Sequence, residues 1–421
     1  MDLVVQATSR LEGTVKAPPS KSYTHRAFLM SFLADDVSRI RDPLFSEDTL
    51  SSLNACKAFG SEVNRMDSCC KIHGVAGKPV TPEDILDLKN SGTTLRIMTS
   101  VASLAEGYTV LTGDSSLRTR PMKDLLEALS PLGVSAYSTR NNGKPPIIIK
   151  GGFKGGESFI MGNVSSQFIS SIIMAAPYSE KPVDLHVKGE FISKPYVDMT
   201  IDLMNKFGVN VDYDRAHKSF HIEPQMYRSI DYTVEGDYSS ASYIIAAAAC
   251  LDSDVTIKNL MNNSKQGDKL ILDIVKGMGC EVKIKNNEVK IKGHGMLNGV
   301  EVNLQNAPDL LPTVAALGAM ADGTTNISGV EHARFKETDR IHTCSTELAK
   351  LGVELTEKKD GISINGGVHG GTVKSHMDHR LAMAFYIIGL KVGGISIEDA
   401  SVYNISFPDF PEIMKKLTAG F

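Results

Sequence analysis

The chain has few cysteines for its 421 residues: Cys56, Cys69, Cys70, Cys250, Cys280 and Cys344, with no CxxC pair among them. Adjacent Cys69 and Cys70 are poorly placed to bridge one another, so a disulfide scaffold is not expected and a reducing compartment is. There is no uncharged apolar run of the roughly 18 residues that a membrane span requires. Met1 to Arg10 also lacks the basic stretch and following apolar run of a secretory signal. Charge of one sign is scarce too, since the formal net charge is -4 with 22% charged residues, which favours neither nucleic acid nor an anionic membrane as partner. A low-complexity linker is likewise missing. These absences predict a soluble cytoplasmic protein, and a monomer is expected. The hydrophobic content of 42% is enough for large cores in two or three domains of roughly 150 residues each.

What the chain does have is repetition. An apolar helix end, then glycine, then a β-rich segment recurs as AFGSEV, PLGVSA, KFGVNV, GMGCEV and KLGVEL, with the glycines at 60, 133, 208, 279 and 352. Between these phrases lies a polar cluster that opens an apolar helix. It starts at Ser20, Asn90, Val164, Asp237, Pro308 and Met377, advancing by 70, 74, 73, 71 and 69 residues. Six copies of one α/β unit follow from that spacing. Short alternating runs such as Val282 to Lys285 and Glu288 to Lys292, split by Asn286 and Asn287, read as hairpins. Helices that are apolar nearly all round belong inside, with the strands wrapped outside them. Six units exceed one core, so a three-plus-three division is expected, with its hinge in the polar stretch from Glu223 to Asp237. GGFKGG at Gly151 to Gly156 lacks a Walker lysine and opens no helix, and is read as a hairpin turn.

The polar helix starts carry the chemistry. Lys21, Ser22 and Arg26 crowd the first copy, Asn90, Gly92, Thr93 and Arg96 the second, and Ser165, Ser166 and Gln167 the third. Asp309 opens the fifth, and Asp378, His379 and Arg380 the sixth. Helix N-termini, hydroxyls and guanidinium groups together favour a multiply charged anion such as a phosphorylated substrate. Arg118 and Arg120 precede Pro121, while Lys336 and Arg340 stand four apart on one helical face. That pairing fits either a bound anion or a solvated face with Glu337 bridging Arg340 at i, i+3. Asp309 and Glu337 are the acids in this cationic set and the candidates for proton transfer, although an aspartate at a helix start is also an ordinary cap. His369, His376 and His379 lack zinc-type spacing and partners, so no metal site is assigned.

KSYTHRA, NSGTTLR, RTRPM, VSSQF, SKPYVD, KETDR and DHR, in this order over nearly the whole chain, closely resemble the enolpyruvyl transferases. The resemblance implies an inside-out α/β barrel in each of two domains, with six βαβαββ-type repeats, three per domain, and buried parallel helices. It places residues 14–227 in the first domain and residues 1–13 with 228–421 in the second, the first dozen residues pairing with the second domain. The active site would lie in the interdomain cleft. The implied reaction transfers the enolpyruvyl group of phosphoenolpyruvate to the 5-hydroxyl of shikimate 3-phosphate, releasing phosphate, without metal or organic cofactor. Position by position, the resemblance gives Lys21 to both substrates and Ser22, Arg26, Ser165, Ser166, Ser193 and Lys336 to shikimate 3-phosphate. Gln167 would lie between the ligands, and Gly92, Arg120, Arg340 and Arg380 would hold phosphoenolpyruvate. Asp309 matches the proton acceptor and Glu337 the proton donor.

Two positions depart from the family pattern. His332 stands where many members have asparagine, and Ile405 falls where many carry a lysine just before FPD, which leaves one cation fewer for phosphoenolpyruvate. The branch acting on UDP-N-acetylglucosamine is disfavoured, because Ser22 follows Lys21 and TGDSSLRTR contains no cysteine. A non-catalytic phosphometabolite sensor on the same scaffold would keep the cations and could lose the acids. Asp309 and Glu337 are both present, which speaks against it.

Overall fold

The second, third and fifth sequence copies fold around their apolar helices in the same way. In the second copy, strand Leu86–Asp87 leads into helix Gly92–Val101, which returns the chain to the parallel strand Tyr108–Thr112. A second helix, Lys123–Leu129, is followed by the hairpin strands Ser135–Ser138 and Ile147–Lys150. Parallel strands cannot be joined by a tight turn, so the buried helix supplies the crossover. The last strand pairs antiparallel with the central one, giving the spatial order first, second, fourth, third, and the third and fifth copies repeat it.

This computed structural model describes residues 2–418. The chain divides into a unit of residues 21–234 and a second unit made of the residues up to Ser20 together with those from Glu235 on. The first and fourth copies each take their opening strand from elsewhere in sequence. Asp231–Thr233 pairs parallel with Val37–Arg41, and Arg10–Lys16 pairs parallel with Asp252–Lys258. Leu3–Val5 adds antiparallel to Ile395–Glu398 in the sixth copy. Those pairings set the boundaries seven residues beyond the expected 13/14 and 227/228. The first runs in register to Lys16↔Lys258, and the second holds Thr233 against Arg41 within the 21–234 unit.

Burial follows from composition. Helix Tyr238–Cys250 is buried at every position, and Lys21–Leu33 is buried from Tyr23 onward, so neither presents a face to water. Each unit has its own core. One is built from residues such as Phe28, Leu95 and Ile172, the other from Ile245, Val314 and Ile388, every such side chain contributing about 1.5–3 kcal/mol. The five recurrent glycines all end their helices left-handed, with φ from +80° to +107°, which a side chain would resist. Asn286 and Asn287, also left-handed, turn the hairpin between Glu281–Lys285 and Glu288–Lys292.

GGFKGG is not a hairpin turn. It carries the chain from Ile147–Lys150 in one sheet to Gly156–Met161 in another. Its glycines serve close backbone approach, since a Cβ on Gly151 would lie 1.9 Å from the Ala105 carbonyl oxygen. Among the described residues no helix is long and apolar enough to cross a membrane.

Candidate active site

In the 21–234 unit the polar starts of the first two internal helices collect a lysine, a histidine and a hydroxyl around one carboxylate. Lys21, the first residue of its helix, donates to Asp48 Oδ2 at 2.9 Å. The other Asp48 oxygen accepts from the Ser91 hydroxyl and lies 3.4 Å from His25 Nε2. Burial alone would push the Asp48 carboxyl up, but Lys21, His25 and Ser91 together hold it well below the usual carboxylate range. His25 is fixed in turn through Nδ1 by Ser52 at 2.8 Å, and Ser52 meets Thr94 at 2.7 Å.

Two further groups sit in this unit. Arg120 donates to Asn90 Oδ1 at 2.6 Å, and a Cβ on Gly92 would lie 2.4 Å from Arg120 Nη1, so the glycine leaves room for that guanidinium. Arg96 donates to Gln167 Oε1 at 2.7 Å and to Ser165 Oγ at 3.3 Å, and Gln167 reaches Thr93 at 2.9 Å. Ser165 also caps its helix by accepting from Gln167 N, and Ser166 is buried beside it. Ser193, buried and left-handed at φ +52°, opens helix Lys194–Lys206. Ser22 is half-buried, with its carbonyl accepting from Arg26 at 3.0 Å. Arg26 itself is held by protein oxygens. Its three nitrogens donate to Thr200 Oγ1, Ser22 O and Tyr196 O, and burial lowers it to about 10.

The other unit reverses the proportion. Arg340, fully buried, donates from Nη1 to Asp309 at 2.8 Å, from Nη2 to Glu337 at 2.6 Å and from Nε to Asp378 at 2.7 Å. Burial would lower its pKa, but the three carboxylates outweigh that and raise it. Arg380 Nη2 donates to the second Asp309 oxygen at 2.8 Å, and Lys336 Nζ lies 3.6 Å from the first. Asp378 caps the helix His379–Val392, accepting from Arg380 N at 2.9 Å. Lys336 and Arg340 do not share a helical face. Asp339 accepts from His342 N and starts the helix at Arg340, so Lys336 lies before it, while the Glu337–Arg340 bridge forms.

His332 is buried in the turn Glu331–Phe335, and desolvation, with Lys336 nearby, lowers it to about 4, so it is neutral at pH 7. Ile405 ends the turn Ala400–Ile405 and packs against the apolar core. The three histidines go separate ways: His369 bonds Gly370 O, His376 bonds Glu347, and His379 is buried. Sequence reasoning missed Asp48 and Asp268. Asp268 is buried, accepts from Ser239 Oγ, and is pushed up to about 7 by burial and then by the charge of Asp309. An aspartate in the first turn of an ordinary helix gives no signal of what it holds.

Buried helices that open with cations and hydroxyls, and a guanidinium–carboxylate cluster, are the groups a transferase acting on anionic substrates would use. Residues 5–414 match the family model described as EPSP synthase (3-phosphoshikimate 1-carboxyvinyltransferase). The chain belongs to that family of enzymes. It is 61% identical over 417 residues to the 3-phosphoshikimate 1-carboxyvinyltransferase of Methanothermobacter thermautotrophicus, covering 99% of this chain and 98% of the relative. With the same-named protein of Methanosphaera stadtmanae the identity is 55%, over 99% and 100% of the two chains. The solved EPSP synthase of Acinetobacter baumannii superimposes with a TM-score of 0.82 at 27% identity, covering 99% of this chain and 98% of that one. The enolpyruvyl transferase NikO of Streptomyces tendae, at 18% identity and a TM-score of 0.79 over 99% and 97%, shares the fold.

Proposed function

We propose that this chain transfers the carboxyvinyl group of phosphoenolpyruvate to the 5-hydroxyl of shikimate 3-phosphate. In this reading the hydroxyl oxygen bonds to C2 of phosphoenolpyruvate as its methylene takes a proton. The resulting tetrahedral intermediate then loses a methyl proton and phosphate. In this reading residues of both units contribute. The observation that carries the reading is the Arg340 cluster, in which the two candidate acids, Asp309 and Glu337, each accept from one guanidinium.

Arg340 and Arg380, with Arg120 beside Gly92, take the phosphate and carboxylate of phosphoenolpyruvate. Once those anions occupy the guanidinium groups, Asp309 is released to accept the 5-hydroxyl proton, and Glu337, freed from Arg340, takes up a proton from solvent and delivers it to the methylene. Lys21, aimed by Asp48, lies against both substrates. Ser22, Ser165, Ser166, Ser193 and Lys336 hold shikimate 3-phosphate, and Gln167, fixed by Arg96 and Thr93, sits between the ligands. Arg26 braces the Lys21 helix against Tyr196 and Thr200 as well as adding positive potential. A soluble cytoplasmic monomer belongs to the same reading, supported by six cysteines that are all free and buried.

The test is phosphate release from purified protein given phosphoenolpyruvate and shikimate 3-phosphate. Controls omit either substrate or replace the second with UDP-N-acetylglucosamine. Release that needs both of the first pair is expected. Release with the nucleotide sugar instead would move the chain to the other branch, and binding without release would favour a sensor.

A further inference from the structure

Helix Arg340–Lys350 meets the segment from Lys374 to Arg380 twice. The first meeting is Arg340 with Asp378, described above. The second lies two turns along the same helix, where Glu347 occupies the same face as Arg340 at i, i+7. The Glu347 side chain is fully buried, yet it is surrounded by donors. His376 Nε2 donates to Oε1 at 2.6 Å, the backbone N–H of Lys374 donates to Oε2 at 3.0 Å, and Lys350 Nζ reaches both oxygens at 2.7 and 2.9 Å. Burial would push this carboxyl up, but these partners outweigh it and keep it below the ordinary value, so it is an anion at neutral pH.

The segment it holds is the one that most needs holding. His376 and Met377, at φ +51° and +57°, are consecutive non-glycine residues in the left-handed region, where L side chains stay only when neighbours fix them. Directly after them come Asp378, which orients Arg340, and Arg380, which reaches Asp309. Ser375 secures the outer side by donating to Asp399 O at 3.2 Å and accepting from Met377 N at 3.3 Å. Beside the Arg340–Asp378 pair at the start of the helix, Glu347 gives the segment its second tie to the helix that carries Arg340.

We propose that Glu347 and His376 are positioning residues that set Arg340 and Arg380 for phosphoenolpyruvate, a role that rests on the reaction proposed above. They touch neither substrate. They fix the turn that delivers one arginine and the carboxylate that aims the other.

The experiment compares the parent with His376→Ala, His376→Gln and Glu347→Gln. For His376→Ala and Glu347→Gln, KM for phosphoenolpyruvate rises roughly tenfold while kcat and KM for shikimate 3-phosphate stay within about threefold. His376→Gln, which restores an N–H donor near the Nε2 position, recovers most of the loss. His376 is partly exposed, so its variants remain informative if Glu347→Gln fails to fold. An unchanged KM for phosphoenolpyruvate in His376→Ala overturns the proposal. So does an equal rise in both KM values with no recovery in His376→Gln, the pattern of general loosening. If the parent releases no phosphate, the reaction fails, and direct titration of phosphoenolpyruvate into parent and His376→Ala decides the clamp. Equal affinity overturns it, and weaker affinity in the variant supports it.

Discussion

The two cationic constellations are built on opposite principles. Around Lys21 one carboxylate, Asp48, serves a lysine, a histidine and a hydroxyl, and Arg120 and Arg96 donate among others to neutral oxygens of Asn90, Gln167 and Ser165. Around Arg340 three carboxylates crowd a single guanidinium. A cation held by amides and hydroxyls keeps much of its charge for a ligand. One held by acids must exchange partners when an anion arrives, and the exchange frees the acids. The first arrangement suits binding and the second suits binding coupled to proton transfer.

The sharpest way to break that contrast is Asp309→Asn. The amide keeps the shape and its one oxygen can still accept from Arg340 or Arg380, but the other position becomes an NH2 donor and the group cannot take up a proton. Turnover is expected to fall by roughly 10²–10⁴-fold with KM for phosphoenolpyruvate altered far less, as steady-state kinetics would read. Turnover at the parent rate would reduce the Arg340 cluster to a second binding cradle.

Asp48→Asn probes the other side. Lys21 loses its charged partner, and turnover is expected to drop roughly tenfold as the ammonium wanders. The substitution also has a signature in pH. Because the folded Asp48 carboxyl titrates well below its unfolded value of about 3.9, its stabilisation is fully present above that pH and lost as pH falls through the folded value. Denaturant unfolding at pH 7 should therefore separate parent from variant, and the gap should narrow toward pH 3. A gap independent of pH would mean that Asp48 acts through shape alone.

Gly92→Ala tests whether Arg120 depends on open space. A methyl group 2.4 Å from Nη1 forces the guanidinium aside, so KM for phosphoenolpyruvate is expected to rise several-fold to about tenfold with little change for shikimate 3-phosphate. Unchanged constants would show that Arg120 stands elsewhere when the ligand is bound.

The repeat architecture was legible because its signals are local. All-round apolarity marked the six internal helices, and the glycines that follow the second helices fell where a left-handed residue is needed. Pairing between distant segments was not. The strands Arg10–Lys16 and Asp231–Thr233 sit beside partners some 190 residues or more away, and only the family resemblance anticipated the first. GGFKGG looked like a hairpin because a short glycine-rich turn does not tell that the strands either side of it join different sheets. In the site, the cationic helix starts and the Glu337–Arg340 bridge were readable, but not that Asp309 and Asp378 join it on Arg340 from two distant segments. Asp339 misled the reading of its own neighbourhood, since by capping it ends the helical face on which Lys336 and Arg340 were placed.

Ile405 offers the smallest and most informative change. Where the family resemblance would put a cation, this chain packs a partly buried side chain on its core, close in sequence to Tyr403 and Phe407, whose rings meet Phe410 tilted and edge-on. Ile405→Lys exchanges that apolar contact for a long stem able to lie along the same surface while its ammonium reaches water. Stability should fall by about 1 kcal/mol or less, because only a half-buried contact is lost. If the Arg340 side is short of one charge for phosphoenolpyruvate, affinity for that substrate should rise a few-fold, with a steeper dependence on salt. Equal affinity would mean that Arg120, Arg340 and Arg380 already saturate the anion, and that the acids around Arg340, not the number of cations, set how tightly it is held.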